Sequence, residues 1–148
     1  MQNRLVENRL LRTFDEIKSF EETIAKIITY KDVTHISILC SGFDDLTEQD
    51  EVMFGLIHAV EYYISIADPE IVLEKIAMSA KIMLPQAEEW YKILQIRILN
   101  NNKTRDIYKK VIKELDKEQQ IIVISQLEKI KHEEKTRFEE KINYVLGR

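Results

Sequence analysis

One cysteine, two prolines and three glycines are all that 148 residues contain of the residues that staple, break or sharply turn a chain. Cys40 alone forms no internal disulfide, so a reducing compartment, the cytoplasm, is the expected home. The shortage of Gly and Pro removes the turn chemistry that connects many short strands. No apolar stretch approaches the ~20 residues needed to cross a bilayer, so no membrane partner is expected. The opening MQNRLVENRL has no continuous apolar run of a secretory leader. Gly-rich phosphate loops and Ser nucleophile turns are missing too. What remains is 45% hydrophobic and 32% charged, rich in Leu, Ile, Lys, Glu and Gln, a composition of helices with short connections. The length suits a single all-helical domain, 1–148, able to bury roughly two thirds of its unfolded surface without metal or disulfide.

Charge is uneven along the chain. Residues 1–30 balance at five basic and five acidic, residues 31–102 carry five basic against twelve acidic, and residues 103–148 carry twelve basic against nine acidic. The acidic middle discourages docking on phosphates, which disfavours nucleic acid as a partner, and it accelerates encounter with a basic protein.

Apolar residues recur at helical spacing nearly throughout. Leu10, Phe14, Ile17, Ile24, Ile27 and Ile28 give one interrupted or two short helices in residues 1–30, with Ser19 and Glu22 spaced as a capping box that restarts the second. The run from Asp32 to Cys40 reads as helix, because Gly42 suits the left-handed residue that ends one. Thr47 and Asp50 have capping-box spacing for a helix to about Ile66. Asp68 followed by Pro69 opens a helix to about Leu84, and Pro85 interrupts it. Gln86 to Leu99 resumes, Thr104 caps a helix to about Leu115, and a last helical region from Asp116 or Lys117 to Leu146 is broken or bent around Lys131 to Arg137. The helix starts pair into hairpins roughly 31 to 39 residues apart, in the range of helical-hairpin repeats. The expected fold is all-α, with helical hairpins stacked as a short HEAT-like α-solenoid or packed as an irregular helical bundle.

Chemistry is harder to find than recognition. Asp44, Asp45, Glu48, Asp50 and Glu51 gather where the Asp50 helix begins, and His58 lies on its polar stripe with Glu51, Gly55, Tyr62 and Ser65. These six, Asp44, Asp45, Glu48, Asp50, Glu51 and His58, form the candidate partner-binding set, with Glu70, Glu74 and Glu88 on neighbouring turns. Gly55 inside a helix costs about 1 kcal/mol relative to Ala and is expected to admit a close neighbour, either another helix of the same chain, the favoured reading, or a partner's side chain. His58 and Glu61 have a spacing that could share a metal, but His35 and His132 stand alone and no second His and Glu pair faces them, so neither metal nor other cofactor is expected. Cys40 sits in an apolar run as an inert thiol, and Asp44 with Asp45 reads as capping groups rather than an acid and base pair. No catalytic residue is assigned and no enzyme is expected. Trp90 is read as a core anchor and Arg97 as the ion-pair partner of Glu61, so Gly42, Gly55, Glu61, Trp90 and Arg97 form the structural set. The charged C-terminal stretch reads first as a solvated helix face, and second as a coiled-coil homodimer along Leu127, Ile130, Phe138 and Ile142, a seam that Glu134 interrupts.

The segments GFDDLTEQDEVMFGLIHAVE and EEWYKILQIRILNNNKTRDIY resemble the immunity protein family thirty of bacterial polymorphic toxin systems, over about Ile36 to Ile112. The family pattern falls on Gly42 to Asp45, Thr47, Glu48, Gly55 to His58, Glu61, Glu89, Trp90 and Arg97 to Asn100. Residues 1–30 and 117–148 carry no pattern of it. The resemblance implies a small all-helical cytoplasmic protein that binds and neutralises a cognate polymorphic or contact-dependent toxin domain as a stoichiometric inhibitor, with a basic toxin face as the expected partner. The competing reading is a helical-repeat scaffold or subunit that mediates protein–protein interaction without a toxin.

Overall fold

The helix starts are set by short polar side chains that accept from otherwise orphaned backbone N–H groups. In a computed structural model describing residues 1–148, the order is α1 (Gln2–Asn8), α2 (Phe14–Thr29), a single 3-10 turn (Val33–His35), α3 (Ile36–Cys40), α4 (Asp50–Ile66), α5 (Pro69–Met78), α6 (Ala80–Met83), α7 (Glu88–Leu99), α8 (Asn102–Glu114), α9 (Lys117–Glu133) and α10 (Lys135–Val145). Asp68 accepts from the Glu70 N–H at 3.0 Å, with Pro69 in the first turn of α5. Asp116 accepts from the Gln119 N–H at 2.9 Å to open α9. The C-terminal helical region breaks at Glu134, inside the charged stretch where a break is expected.

Three caps differ from the sequence expectation. α2 is continuous through Ser19 and begins at Thr13, whose hydroxyl accepts from the Glu16 N–H at 3.1 Å. Ser19 instead accepts from Arg4 Nη2 at 2.9 Å and Asn8 Nδ2 at 3.3 Å, tying α2 to α1. The chain turns earlier, through Leu11 at φ 52°. Thr47 makes no box with Asp50; its hydroxyl accepts from the Gln49 N–H at 3.2 Å, two residues on, and shapes the turn before α4. Asn101 rather than Thr104 caps α8, accepting from the Thr104 N–H at 3.1 Å, while the Thr104 hydroxyl donates to the Ile98 carbonyl at 2.9 Å. The helix expected from Pro69 to Leu84 is split at Ser79, whose hydroxyl donates to the Ile76 carbonyl at 2.6 Å.

α5 is the hub. It packs against α3, α4, α8 and α9 through Val72, Leu73, Ile76 and Ala77, while α10 packs on α8, α9 and α7. In a solenoid each repeat touches only its neighbours; α5 reaches α9, four helices further along the chain, as well as α3 and α4, and that makes the architecture an irregular helical bundle. A continuous core of 35 buried residues runs from Leu5 to Val145, so the C-terminal hairpin shares the core that Trp90 and Tyr63 belong to. Each fully buried Leu, Ile or Phe contributes roughly 1.5–3 kcal/mol of hydrophobic stabilisation, which sets the C-terminal helices firmly on the rest. Cys40 lies fully inside, where burial pushes its thiol up to about 12 and makes it inert at neutral pH.

Candidate functional site

The loop Gly42 to Asp45 holds the N-terminal helices to α7. Gly42 does not adopt the left-handed conformation, which among the glycines belongs to Gly147. Its role is close approach: a Cβ there would lie 3.1 Å from Phe20 Cζ and 3.2 Å from both the Leu39 carbonyl oxygen and Leu56 Cδ2. Phe43 stacks on Trp90 with ring centroids 6.1 Å apart, and Phe54 meets the same indole edge-on at 5.1 Å. Trp90 is 6% exposed and is the core anchor its spacing suggests.

The two aspartates of this loop face inward to the protein's own groups. Asp44 is 5% exposed; it accepts from Arg9 Nε at 3.1 Å and from the Leu46 N–H at 2.8 Å. Arg9 also donates to the Ser41 carbonyl at 3.2 Å, so one guanidinium clasps the loop from α1. Asp44 therefore holds the loop in shape, and its carboxylate is not presented as the partner contact expected of it. Asp45 keeps solvent contact but accepts from the Glu89 N–H at 3.1 Å, capping α7, which has no cap of its own. Desolvation pushes the Asp45 carboxyl above its ordinary value, and hydrogen bonds from the Glu89 and Trp90 N–H groups pull the other way.

Arg97 and Glu61 form the expected pair, bidentate at 2.8 Å and 2.8 Å between α7 and α4. Glu61 is thereby occupied as an acceptor. No group of three or more His, Cys, Asp or Glu side chains is arranged to hold a metal ion. The outlying carboxylates are also engaged: Glu70 meets Lys110 at 3.3 Å, and Glu88 meets Lys129. Lys92 bridges Glu133 at 3.0 Å and Glu134 at 2.9 Å, which holds the Glu134 carboxyl below its ordinary value through that hydrogen bond. Glu74 is exposed without an ion pair.

Glu48, Asp50, Glu51 and His58 are the members of the candidate set that stand exposed with neither an internal ion pair nor a side-chain hydrogen bond, whereas Asp45 is exposed but holds the Glu89 N–H. They lie beside α2, which the sequence pattern does not single out. Leu10, Leu11 and Arg12, before α2, line one depression with Leu46, Glu48 and Gln49, before α4, so the two helices start side by side. Asp15 and Glu16 in the first turn of α2 thus join Asp50 and Glu51 in the first turn of α4. Two apolar residues stand out in the open at this end: Phe14 is 77% exposed and Leu46 is 80% exposed.

Further along, the two helices bound an apolar groove of about 380 Å³, floored by Ile24, Ile28, Val52 and Ala59 and edged by Glu21, His58 and Tyr62. Gly55 lies in it, and a Cβ at Gly55 would meet nothing within 4 Å. The favoured neighbour at Gly55, another helix of the same chain, is absent, because α2 runs far enough from α4 there to leave the groove open. The Ile24, Ala25 and Ile28 spacing announces an apolar helix face; periodicity does not say which helix, if any, covers it.

The geometry is an all-helical bundle in which acidic side chains and an open apolar groove meet along the α2 and α4 face. The family comparison gives the class its name. The profile described as Immunity protein 30 matches residues 7–108, and the chain belongs to that family, with an immunity function in general. The match reaches N-terminal to the Ile36 to Ile112 stretch and takes in Arg9 and α2, where no pattern is expected; the Arg9 clasp on Asp44 and the Phe20 contact at Gly42 make that segment structurally inseparable from the GFDD loop. No curated protein and no solved structure matches the chain. No helix is long and apolar enough to cross a membrane.

Proposed function

We propose that this protein is a stoichiometric, non-enzymatic inhibitor that acts in the cytoplasm as one domain and captures a cognate toxin domain through the face carrying Glu48, Asp50, Glu51 and His58. The observation that carries this reading beyond family membership is that these carboxylates gather exposed at the start of one helix, without an ion pair, beside the open apolar groove between α2 and α4. Unpaired exposed carboxylates raise the encounter rate with a basic surface, whereas slow release needs a desolvated anchor. Asp44 and Asp45 act through position: the first holds the loop under Leu46, the second fixes α7 against it.

The test is co-expression with the toxic C-terminal domain encoded immediately upstream. Rescue of growth together with a one-to-one co-purifying complex is the expected result. Continued growth arrest with both proteins soluble overturns the reading and leaves a scaffold role in other complexes.

A further inference from the structure

Gly55 has no structural reason to be a glycine. In the middle of a helix this residue is destabilising relative to alanine, because it loses more backbone freedom and covers less of the backbone. A positive φ, or a neighbour too close for a Cβ, would account for it. Gly55 has neither, whereas Gly42 has such a neighbour in Phe20 and Leu56. The space above Gly55 is the apolar groove between α2 and α4. A helix that gives up stability to keep this space open is shaped for something that enters it.

The surroundings narrow what enters. α4 contains no lysine or arginine at all, and Glu21 on the groove's edge and Glu48, Asp50 and Glu51 towards the start of α4 have no ion pair within the molecule, while Arg12 lines the depression that holds Glu48. Arg12 before α2 and Lys18 and Lys26 on it are the cations nearby in sequence. The volume of about 380 Å³ is near the small end of apolar sites, which span about 300–1,000 Å³. That suits a few anchoring side chains better than a whole helix. A second copy of this chain fits poorly, since a two-fold contact on this face sets the acidic helix starts against themselves.

We infer that the α2–α4 groove is the seat of the toxin's anchor: an apolar segment flanked by basic side chains, whose tip fills the space above Gly55 while its cations meet Glu48, Asp50 and Glu51. This rests on the immunity reading above and adds to it the place where slow release originates. Phe14 and Leu46, exposed at the same end, extend the apolar contact beyond the groove.

Competition capture tests it. Wild-type protein and one variant, distinguishable by mass, are co-expressed with the tagged upstream-encoded toxin domain, and the captured ratio is read. Gly55→Leu fills the groove from α4 and Ala25→Trp fills it from α2, both from positions that leave the core untouched. Each is expected to melt no lower than about the wild-type temperature and to be captured roughly tenfold less or worse. Ser125→Leu, exposed on α9, is expected to be captured equally with wild type. Equal capture of soluble Gly55→Leu and Ala25→Trp overturns the groove assignment while leaving the immunity reading intact. A wild-type dimer that Gly55→Leu dissociates gives the groove to a second copy and overturns it as well. Failure to capture even wild type removes the immunity reading, and the groove assignment with it.

Discussion

Two acidic regions are alike in the sequence and end in different states. Along α5 and α7, Glu70 and Glu88 are met by Lys110 and Lys129 from α8 and α9, and Lys92 returns the contact to Glu133 and Glu134. Around the starts of α2 and α4, Asp15, Glu48, Asp50 and Glu51 make no ion pair, although Arg12 lines the depression that holds Glu48. Two lysines of the basic C-terminal third, Lys110 and Lys129, therefore act within the molecule, clamping α8 and α9 over the acidic middle. Segment charge along a sequence is not surface potential; folding cancels it in one place and leaves it standing in another.

If α8 to α10 are clamp and α2 with α4 are contact surface, substitutions in the two regions should separate stability from association. The largest effect is expected in the clamp: Phe138→Ala, at a fully packed position of α10, should lower the unfolding free energy by about 3–5 kcal/mol in urea titration, with folded protein still capturing toxin. Loss of toxin binding at full stability would move the contact surface to the C-terminal helices. Next is Asp44→Ala, which leaves Arg9 and the Leu46 N–H without their acceptor and should cost about 1–3 kcal/mol. A cost below about 0.5 kcal/mol would return Asp44 to the contact surface as an ordinary exposed group.

The triple change Glu48→Gln, Asp50→Asn and Glu51→Gln should do the reverse, holding stability within about 0.5 kcal/mol. Toxin association should slow roughly tenfold at low salt, and its salt dependence should flatten. Identical rates at low and high salt would sink the acidic face as a steering surface. The smallest effect belongs to Glu134, whose carboxyl is held below its ordinary 4.5 by the hydrogen bond from Lys92. Its contribution is full above 4.5 and disappears as pH falls through the lowered value, so Glu134→Gln should flatten the acid side of the melting profile. An unchanged acid slope would mean that the Lys92 bridge contributes nothing in solution.

Much of the fold is legible in the sequence because its signals are local. Asp68 with Pro69, Asp116 before its helix and the break in the charged stretch at Glu134 each depend on a few neighbouring residues. Trp90 as anchor and Arg97 on Glu61 are legible too, the first from bulk and hydrophobicity, the second from charge sign and helix side. Ser19 and Thr47 mislead for one reason: a hydroxyl has several hydrogen-bond partners within reach, and packing chooses among them. Gly42 does follow the end of α3, but for the close approach of Phe20 and Leu56 rather than for a left-handed turn, and Gly55, read as packed against a neighbouring helix, stands open. A glycine's neighbour across a helix pair is not written in its own segment.

The sequence by itself determined that the chain is helical, where most helices start, and that its charge is divided between an acidic middle and a basic end, since these follow from backbone preference and side-chain chemistry within a few residues. Only the tertiary structure decided that α5 is the hub of a bundle, that Asp44 turns inward to Arg9, and that α2 stands beside α4 across an open groove. Those outcomes depend on which apolar faces find one another over long sequence separations, and that choice is made by the packing of the whole core.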